Sequence, residues 1–299
     1  MYKYLLIFIC SYAICQEPLE PIEPTWKDLN YAGDGKGYHL MDIYLPNNTA
    51  KKSPLILTIY GSAWRSNSSK ASNYIKKSLI KPLVEAGFAV ASINHRSSKD
   101  ALFPAQIHDV KAALRYLRGN ASTYKIDTSF VGVTGSSSGG HLSAMAGTTS
   151  HNKMMEGNLG DFLDYDSHVD AVVDWFGPTD FLLMDICGSK MEHDAINSPE
   201  SKLIGGAVQE NNNKAIAANP ITYINNKTPP FLIIHGMVDL TVPYCQSKVL
   251  KIALDSESIQ SELISVRDGG HGKNVFKEEF QDKMVIFFKN ELNKPAINE

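Results

Sequence analysis

The chain has 299 residues, of which 43% are hydrophobic and 20% charged, a globular composition with room for one large α/β domain or two small ones. Its net charge is −3 and its basic residues are scattered, with no run longer than pairs such as Lys51-Lys52 and Lys76-Lys77. That balance gives no basis for nucleic acid or an anionic membrane as partner.

The first 15 residues read as a targeting segment. Lys3 precedes the apolar run Tyr4 to Cys10, which is too short to span a bilayer, and small residues follow. Ala13 and Cys15 suit a signal-peptidase site that would leave Gln16 as the mature N-terminus; a lipidated Cys15 is the rival, with Ile14 a poor residue before it. Secretion is the expectation. Cleavage leaves Cys187 and Cys245, which are either a disulfide in an oxidising compartment or two buried thiols.

Residues 16–37 read as a linker, since Glu17 to Asn30 is rich in proline and acid, and the catalytic domain is expected over 38–292. Tyr38 to Leu45 alternates apolar and polar residues, as in an outer antiparallel strand. Sequons at Asn47, Asn67, Asn120 and Asn226 are read as polar loop positions. Pro54 to Tyr60 is a nearly continuous apolar strand, as expected where helices cover both faces of a sheet. It ends in Gly61-Ser62-Ala63-Trp64, small residues where backbone N–H groups can collect around an oxyanion.

A helix is expected over about 72–86, a strand over 88–94, and an amphipathic helix over 105–118 from the spacing of Ile107, Val110, Leu114 and Leu117. His95 and His108 are read as structural or surface groups. Ser129 to Thr134 reads as a buried strand leading into Gly135-Ser136-Ser137-Ser138-Gly139, a G-x-S-x-G pattern centred on Ser137. A strand-to-helix turn this sharp leaves room only for small flanking residues and exposes the serine oxygen at the strand's carboxyl end. The alternative is a serine–glycine turn without chemistry. Val169 to Phe176 is the next strand, with Trp64, Trp175 and Phe176 as candidate substrate contacts; buried packing is the rival role for the last two. Residues 179–219 lack β character and read as a helical excursion over the site.

Pro230 to Gly236 is another buried strand, and it delivers Asp239 just past its end. A helix over 244–254, a strand over 261–266 and the loop Asp268-Gly269-Gly270-His271-Gly272 precede a last helix over 275–292. Strands alternating with helices imply right-handed crossovers and a mostly parallel sheet, with the site at the strands' carboxyl ends. A serine triad on such a sheet runs serine, acid, histidine. Of nine histidines only His271 lies beyond Asp239, so Ser137, Asp239 and His271 fall at three strand ends. Asp268 is a rival acid, but it follows the wrong strand and is close to His271 in sequence. His235 reads as a core histidine.

Together these residues resemble a hormone-sensitive-lipase-like α/β-hydrolase of the secreted group that includes bacterial acetylxylan and feruloyl esterases. The resemblance runs from about Tyr38 to Asn290. It rests on Tyr60 to Trp64, Asn94-His95-Arg96, Phe103-Pro104-Ala105-Gln106, Gly135 to Leu142, Trp175 to Asp180, Ser198 to Ser201, Ala218-Asn219-Pro220 and Gly236 to Pro243. It implies an α/β-hydrolase fold and two-step acyl transfer, with Ser137 as nucleophile, His271 as base, Asp239 as its partner and the N–H groups of Ser62, Ala63 and Ser138 as the oxyanion hole. The implied substrate is a short acyl ester, acetyl or feruloyl, on a plant polysaccharide such as xylan. The family's His-Gly-Gly-Gly-Trp stretch is replaced by Tyr60-Gly61-Ser62-Ala63-Trp64, which keeps backbone donors and changes the side chains. A prolyl-oligopeptidase-type peptidase shares the triad but needs a large extra domain, and an inactive binding module would normally lack a triad residue. No cysteine–histidine cluster has metal-ligand spacing, so no metal or cofactor is expected.

Overall fold

The computed structural model describes residues 22–47, 51–150 and 152–294. The targeting segment and Cys15 lie outside these residues. The strands are β1 (Trp26–Asn30), β2 (Leu40–Tyr44), β3 (Ser53–Ile59), β4 (Ala89–Ile93), β5 (Ile126–Ser136), β6 (Ala171–Trp175), β7 (Phe231–Gly236) and β8 (Ser261–Val266). They form one eight-stranded sheet in the order β1-β2-β4-β3-β5-β6-β7-β8. The β1–β2 and β2–β4 pairings are antiparallel, and the rest are parallel. This is an α/β-hydrolase fold.

The helices are α1 (Asn73–Ile75), running through a π-helical turn (Lys76–Ile80) into α2 (Lys81–Glu85), then α3 (Ala105–Gly119), α4 (Ser138–Thr148), α5 (Lys153–Glu156), α6 (Pro199–Ile204), α7 (Asn212–Ala217), α8 (Cys245–Ser256) and α9 (Glu278–Leu292). The side-chain period of two along a strand divides the core between the two faces. Leu55, Leu57 and Ile59 of β3, with Phe231 and Ile233 of β7, pack with α3, α4 and α8. Ile56 of β3, with Leu232 and Ile234 of β7, packs with the 73–85 helix and with Met284 and Phe288 of α9. The central strands are therefore apolar on both faces, which is why they read as continuous hydrophobic runs.

Two expectations change. The 16–37 segment expected to be a linker contributes β1, so the folded domain begins before Tyr38, and β1 rather than β2 is the outer strand. Trp26 packs edge-on against Tyr124, and the irregular pairing around Asp28 is tied down by Asp28 N–H donating to Asp42 Oδ1 at 2.8 Å and by Lys70 Nζ reaching both carboxylates. The excursion over 179–219 is helical as expected, but in short pieces: a 3₁₀ turn (Phe181–Leu183), α6, a second 3₁₀ turn (Val208–Glu210) and α7. A disulfide between Cys187 and Cys245 fastens it to the start of α8.

Candidate active site

At the carboxyl end of β5 the chain turns directly into α4, and Ser137 at the turn has φ 55° and ψ −123°. A non-glycine residue holds this conformation only when its surroundings impose it. Here Ser137 N–H donates to the Trp175 carbonyl at 2.8 Å. Gly135 and Gly139 have no room for a side chain: a Cβ on Gly135 would lie 2.4 Å from the Gly139 oxygen, and one on Gly139 would lie 2.2 Å from the Ile59 oxygen. The glycines of the motif thus let the turn pack against β3.

The loops after β7 and β8 converge on the same point. A Cβ on Gly236 would come within 2.2 Å of the Gly269 oxygen, and Val238 N–H donates to that oxygen at 3.0 Å, so the two strand ends lie backbone against backbone. This brings His271 between Ser137 and Asp239. His271 Nε2 is 3.0 Å from Ser137 Oγ, and His271 Nδ1 is 2.8 Å from Asp239 Oδ2. Asp239 Oδ1 accepts N–H bonds from Thr241 at 2.8 Å and Val242 at 3.0 Å. Burial pushes the Asp239 carboxyl upward, but the hydrogen bonds from His235 and His271 outweigh it and hold the group well below the usual carboxylate range. A carboxylate that stays ionised fixes Nδ1 as the protonated ring nitrogen, leaving Nε2 to accept the Ser137 proton. Asp268, the rival acid, is exposed and bonds Asn274 instead.

The oxyanion-hole candidates divide. Ala63 and Trp64 both have φ 53°, so the loop after β3 is held in a left-handed turn. Ser62 N–H donates to Ser138 Oγ at 2.9 Å and is engaged within the protein. The N–H groups of Ala63 and Ser138 have no acceptor among the described residues. Two of the three expected donors are thus unpartnered, and the third joins the loop to the elbow. A chain of hydroxyl, imidazole and carboxylate beside unpartnered N–H donors is the equipment of acyl transfer.

The candidate substrate contacts need correcting. Trp64 and Trp175 are 1% and 0% exposed and offer no surface to a substrate. Trp64 packs edge-on against His141 and Phe181, while Trp175 stacks on Phe276 at 4.6 Å. Phe176 is 2% exposed and meets the His271 ring edge-on at 4.8 Å, so it packs against that ring. Large apolar residues beside a strand end were absorbed by the core. The exposed apolar residues near the triad are instead Met237, Val238 and Leu240 around Asp239, and Tyr74, whose hydroxyl lies against Gly272. The sequence singled out neither these nor Ser247; His235 is the core histidine expected, and its four-residue spacing from Asp239 was the available signal for its place behind the acid. His95 is a buried ring stacked on Tyr60, and His108 bonds the Met154 carbonyl. Among the described residues no group of three or more metal-ligating side chains is placed to hold an ion.

The sheet order and the convergence of Ser137, His271 and Asp239 at its strand ends define an α/β-hydrolase. Residues 41–254 match the BD-FAE family, and the chain belongs to that family. It is 30% identical over 230 residues to Esterase LipQ of Mycobacterium tuberculosis, covering 76% of this chain and 52% of that protein. The chain spans about half the length of the curated relatives it matches. Among solved structures it resembles a truncated carbohydrate esterase from gut microbiota (TM-score 0.87, 44% identity, 93% of this chain and 99% of that one). It also resembles a bifunctional GH43-CE protein of Bacteroides eggerthii (TM-score 0.84, 46% identity, 89% of this chain and 35% of that one).

Proposed function

We propose that the protein is a secreted carboxylic ester hydrolase that removes short acyl groups, acetyl or feruloyl, from a plant polysaccharide such as xylan. The observation that carries the reading is the Ser137 Oγ–His271 Nε2–Asp239 relay, with contacts of 3.0 and 2.8 Å. Ser137 attacks the ester carbonyl while His271 takes its proton, and Asp239 holds the imidazole and stabilises its charged form. The N–H groups of Ala63 and Ser138 receive the oxyanion, with Ser62 holding the loop in place. His271 then protonates the leaving alcohol, and water repeats the two steps to release the acid.

The carbohydrate part is supported by the likeness, at 44% identity, to a structure described as a carbohydrate esterase and, at 46%, to one described as a bifunctional GH43-CE protein. Secretion is supported by the leader-like first 15 residues and by the Cys187–Cys245 disulfide. No described helix is long and apolar enough to cross a membrane.

The test is release of acetate and ferulate from acetylated and feruloylated xylan by wild type and Ser137→Ala, with p-nitrophenyl acetate as a generic ester. Release that falls by roughly a thousandfold or more in the variant supports both nucleophile and substrate class. Cleavage of the synthetic ester alone keeps the triad and removes the polysaccharide.

A further inference from the structure

Behind the triad lies a second histidine. His235, in β7, is fully buried, and its ring has partners on both nitrogens. Nδ1 is 2.7 Å from Ser247 Oγ of α8, and Nε2 is 2.9 Å from the Val242 carbonyl and 3.4 Å from Asp239 Oδ2. A carbonyl and a carboxylate only accept, so Nε2 carries the hydrogen, which it donates chiefly to the Val242 carbonyl at 2.9 Å with Asp239 Oδ2 as the longer contact at 3.4 Å. Nδ1 then takes the Ser247 hydroxyl proton as acceptor. Tyr244 closes the site edge-on, with ring centroids 5.7 Å apart.

From this geometry we infer that His235 is a positioning residue for the triad: with Ser247 fixing its tautomer, it donates to the Asp239 oxygen that His271 uses. Oδ1 already takes two backbone N–H bonds, so His235 and His271 divide Oδ2 between them. The donor does two things. It fixes the carboxylate plane, and through it the direction of His271. It also draws charge from Oδ2, which limits how strongly Asp239 favours a second proton on the His271 ring. The other titratable groups around the cluster are His193 on the excursion, whose Nε2 meets the Thr241 carbonyl, with Glu200 and Asp185 beside it, and the exposed Arg267, Asp268 and Lys273 on the His271 loop. None of these reaches Oδ2.

The inference rests on the triad reading above, and the experiment separates the two. Hydrolysis of p-nitrophenyl acetate by wild type, His235→Phe, His235→Gln, Ser247→Ala and Ser137→Ala is followed across pH 5 to 9. Loss of activity in Ser137→Ala tests the triad itself. In His235→Phe, kcat falls about tenfold with KM within about twofold, because the lost alignment matters in the transition state. The acidic limb of its pH–rate profile moves to higher pH, since a carboxylate relieved of a donor holds the His271 proton more tightly. His235→Gln, whose amide can donate to the same oxygens, restores most of both, and Ser247→Ala shifts the limb in the same direction by less. Wild-type kcat and an unmoved limb in folded His235→Phe overturn the inference, as does a fall in kcat with the limb unmoved. Should His235→Phe fail to fold, ¹⁵N NMR of the wild-type imidazoles decides. A His235 ring protonated at Nε2, whose resonances respond to the His271 titration, supports the inference. An Nδ1–H ring, or one unresponsive to His271, overturns it.

Discussion

Ser62 and Ser138 are joined across the elbow, the Ser62 N–H donating to the Ser138 hydroxyl at 2.9 Å. Ser138 is 1% exposed, and the bond spans 76 residues of sequence, pinning the strained Ala63–Trp64 turn against the first residue of α4. Ser138→Ala removes the acceptor and lets the loop relax. The expected result is a kcat about tenfold lower at nearly constant KM, a smaller loss than deletion of an oxyanion donor itself causes. Steady-state kinetics on p-nitrophenyl acetate read this directly; an unchanged or higher kcat would show that the bond does not organise the hole.

The acid of the relay gives a larger effect. Asp239→Asn keeps the shape but replaces an acceptor with an amide that competes for His271 in the wrong tautomer. A loss of about 10⁴ in kcat is expected, with the far-UV circular dichroism spectrum preserved. Retention of more than a tenth of wild-type kcat would make Asp239 a structural carboxylate.

The convergence of Ser137, Asp239 and His271 and the central sheet were legible because each rests on a local signal. G-x-S-x-G lies between a β-branched run and small helix formers, and His271 is the sole histidine after Asp239. β1 was not legible. Its five residues carry an irregularity at Asp28 (φ 55°) and are held by Lys70 and Asp42, which lie far off in sequence. The packing of Trp64 was hidden for a related reason, since its burial depends on Phe181 from a remote segment; for Trp175 the buried role was the stated rival, and Phe276, equally remote, is the ring that decides it. The Cys187–Cys245 pairing needed the path of the excursion, which no periodicity encodes.

That disulfide closes a long loop, with its cysteines 58 residues apart. On chain-entropy grounds such a cross-link contributes about 4 kcal/mol. Replacing both cysteines by serine should lower Tm by on the order of 10 °C, and reducing the wild type with a phosphine should give a shift of the same size. Calorimetry with and without reductant checks this; equal Tm values would mean that the bond does not constrain the unfolded chain.

Asp174 predicts a pH dependence. It is buried beside the elbow, its Oδ1 accepts the Gly177 N–H at 2.9 Å and its Oδ2 has no partner. Burial pushes its carboxyl up to about 7, with the Gly177 bond opposing. A folded-state value raised above the unfolded one favours the protonated form. Its stabilisation is therefore complete below about pH 4 and is lost as pH rises through about 7. Asp174→Asn escapes that loss, so its stability relative to wild type should rise between pH 4 and 7 by on the order of 3 kcal/mol. Urea melts at pH 4, 6 and 8 test the sign; a difference independent of pH would contradict it.

Covalent capture shows whether Ser137 is the nucleophile. Wild-type protein treated with a p-nitrophenyl alkylphosphonate should release one equivalent of nitrophenol and lose activity in step. Peptide mass spectrometry should place the phosphonyl group on Ser137, with Ser137→Ala unlabelled and His271→Ala labelled far more slowly. A label on Ser136, Ser138 or any other residue, or a Ser137→Ala protein that keeps its esterase activity, would rule out Ser137 as the nucleophile.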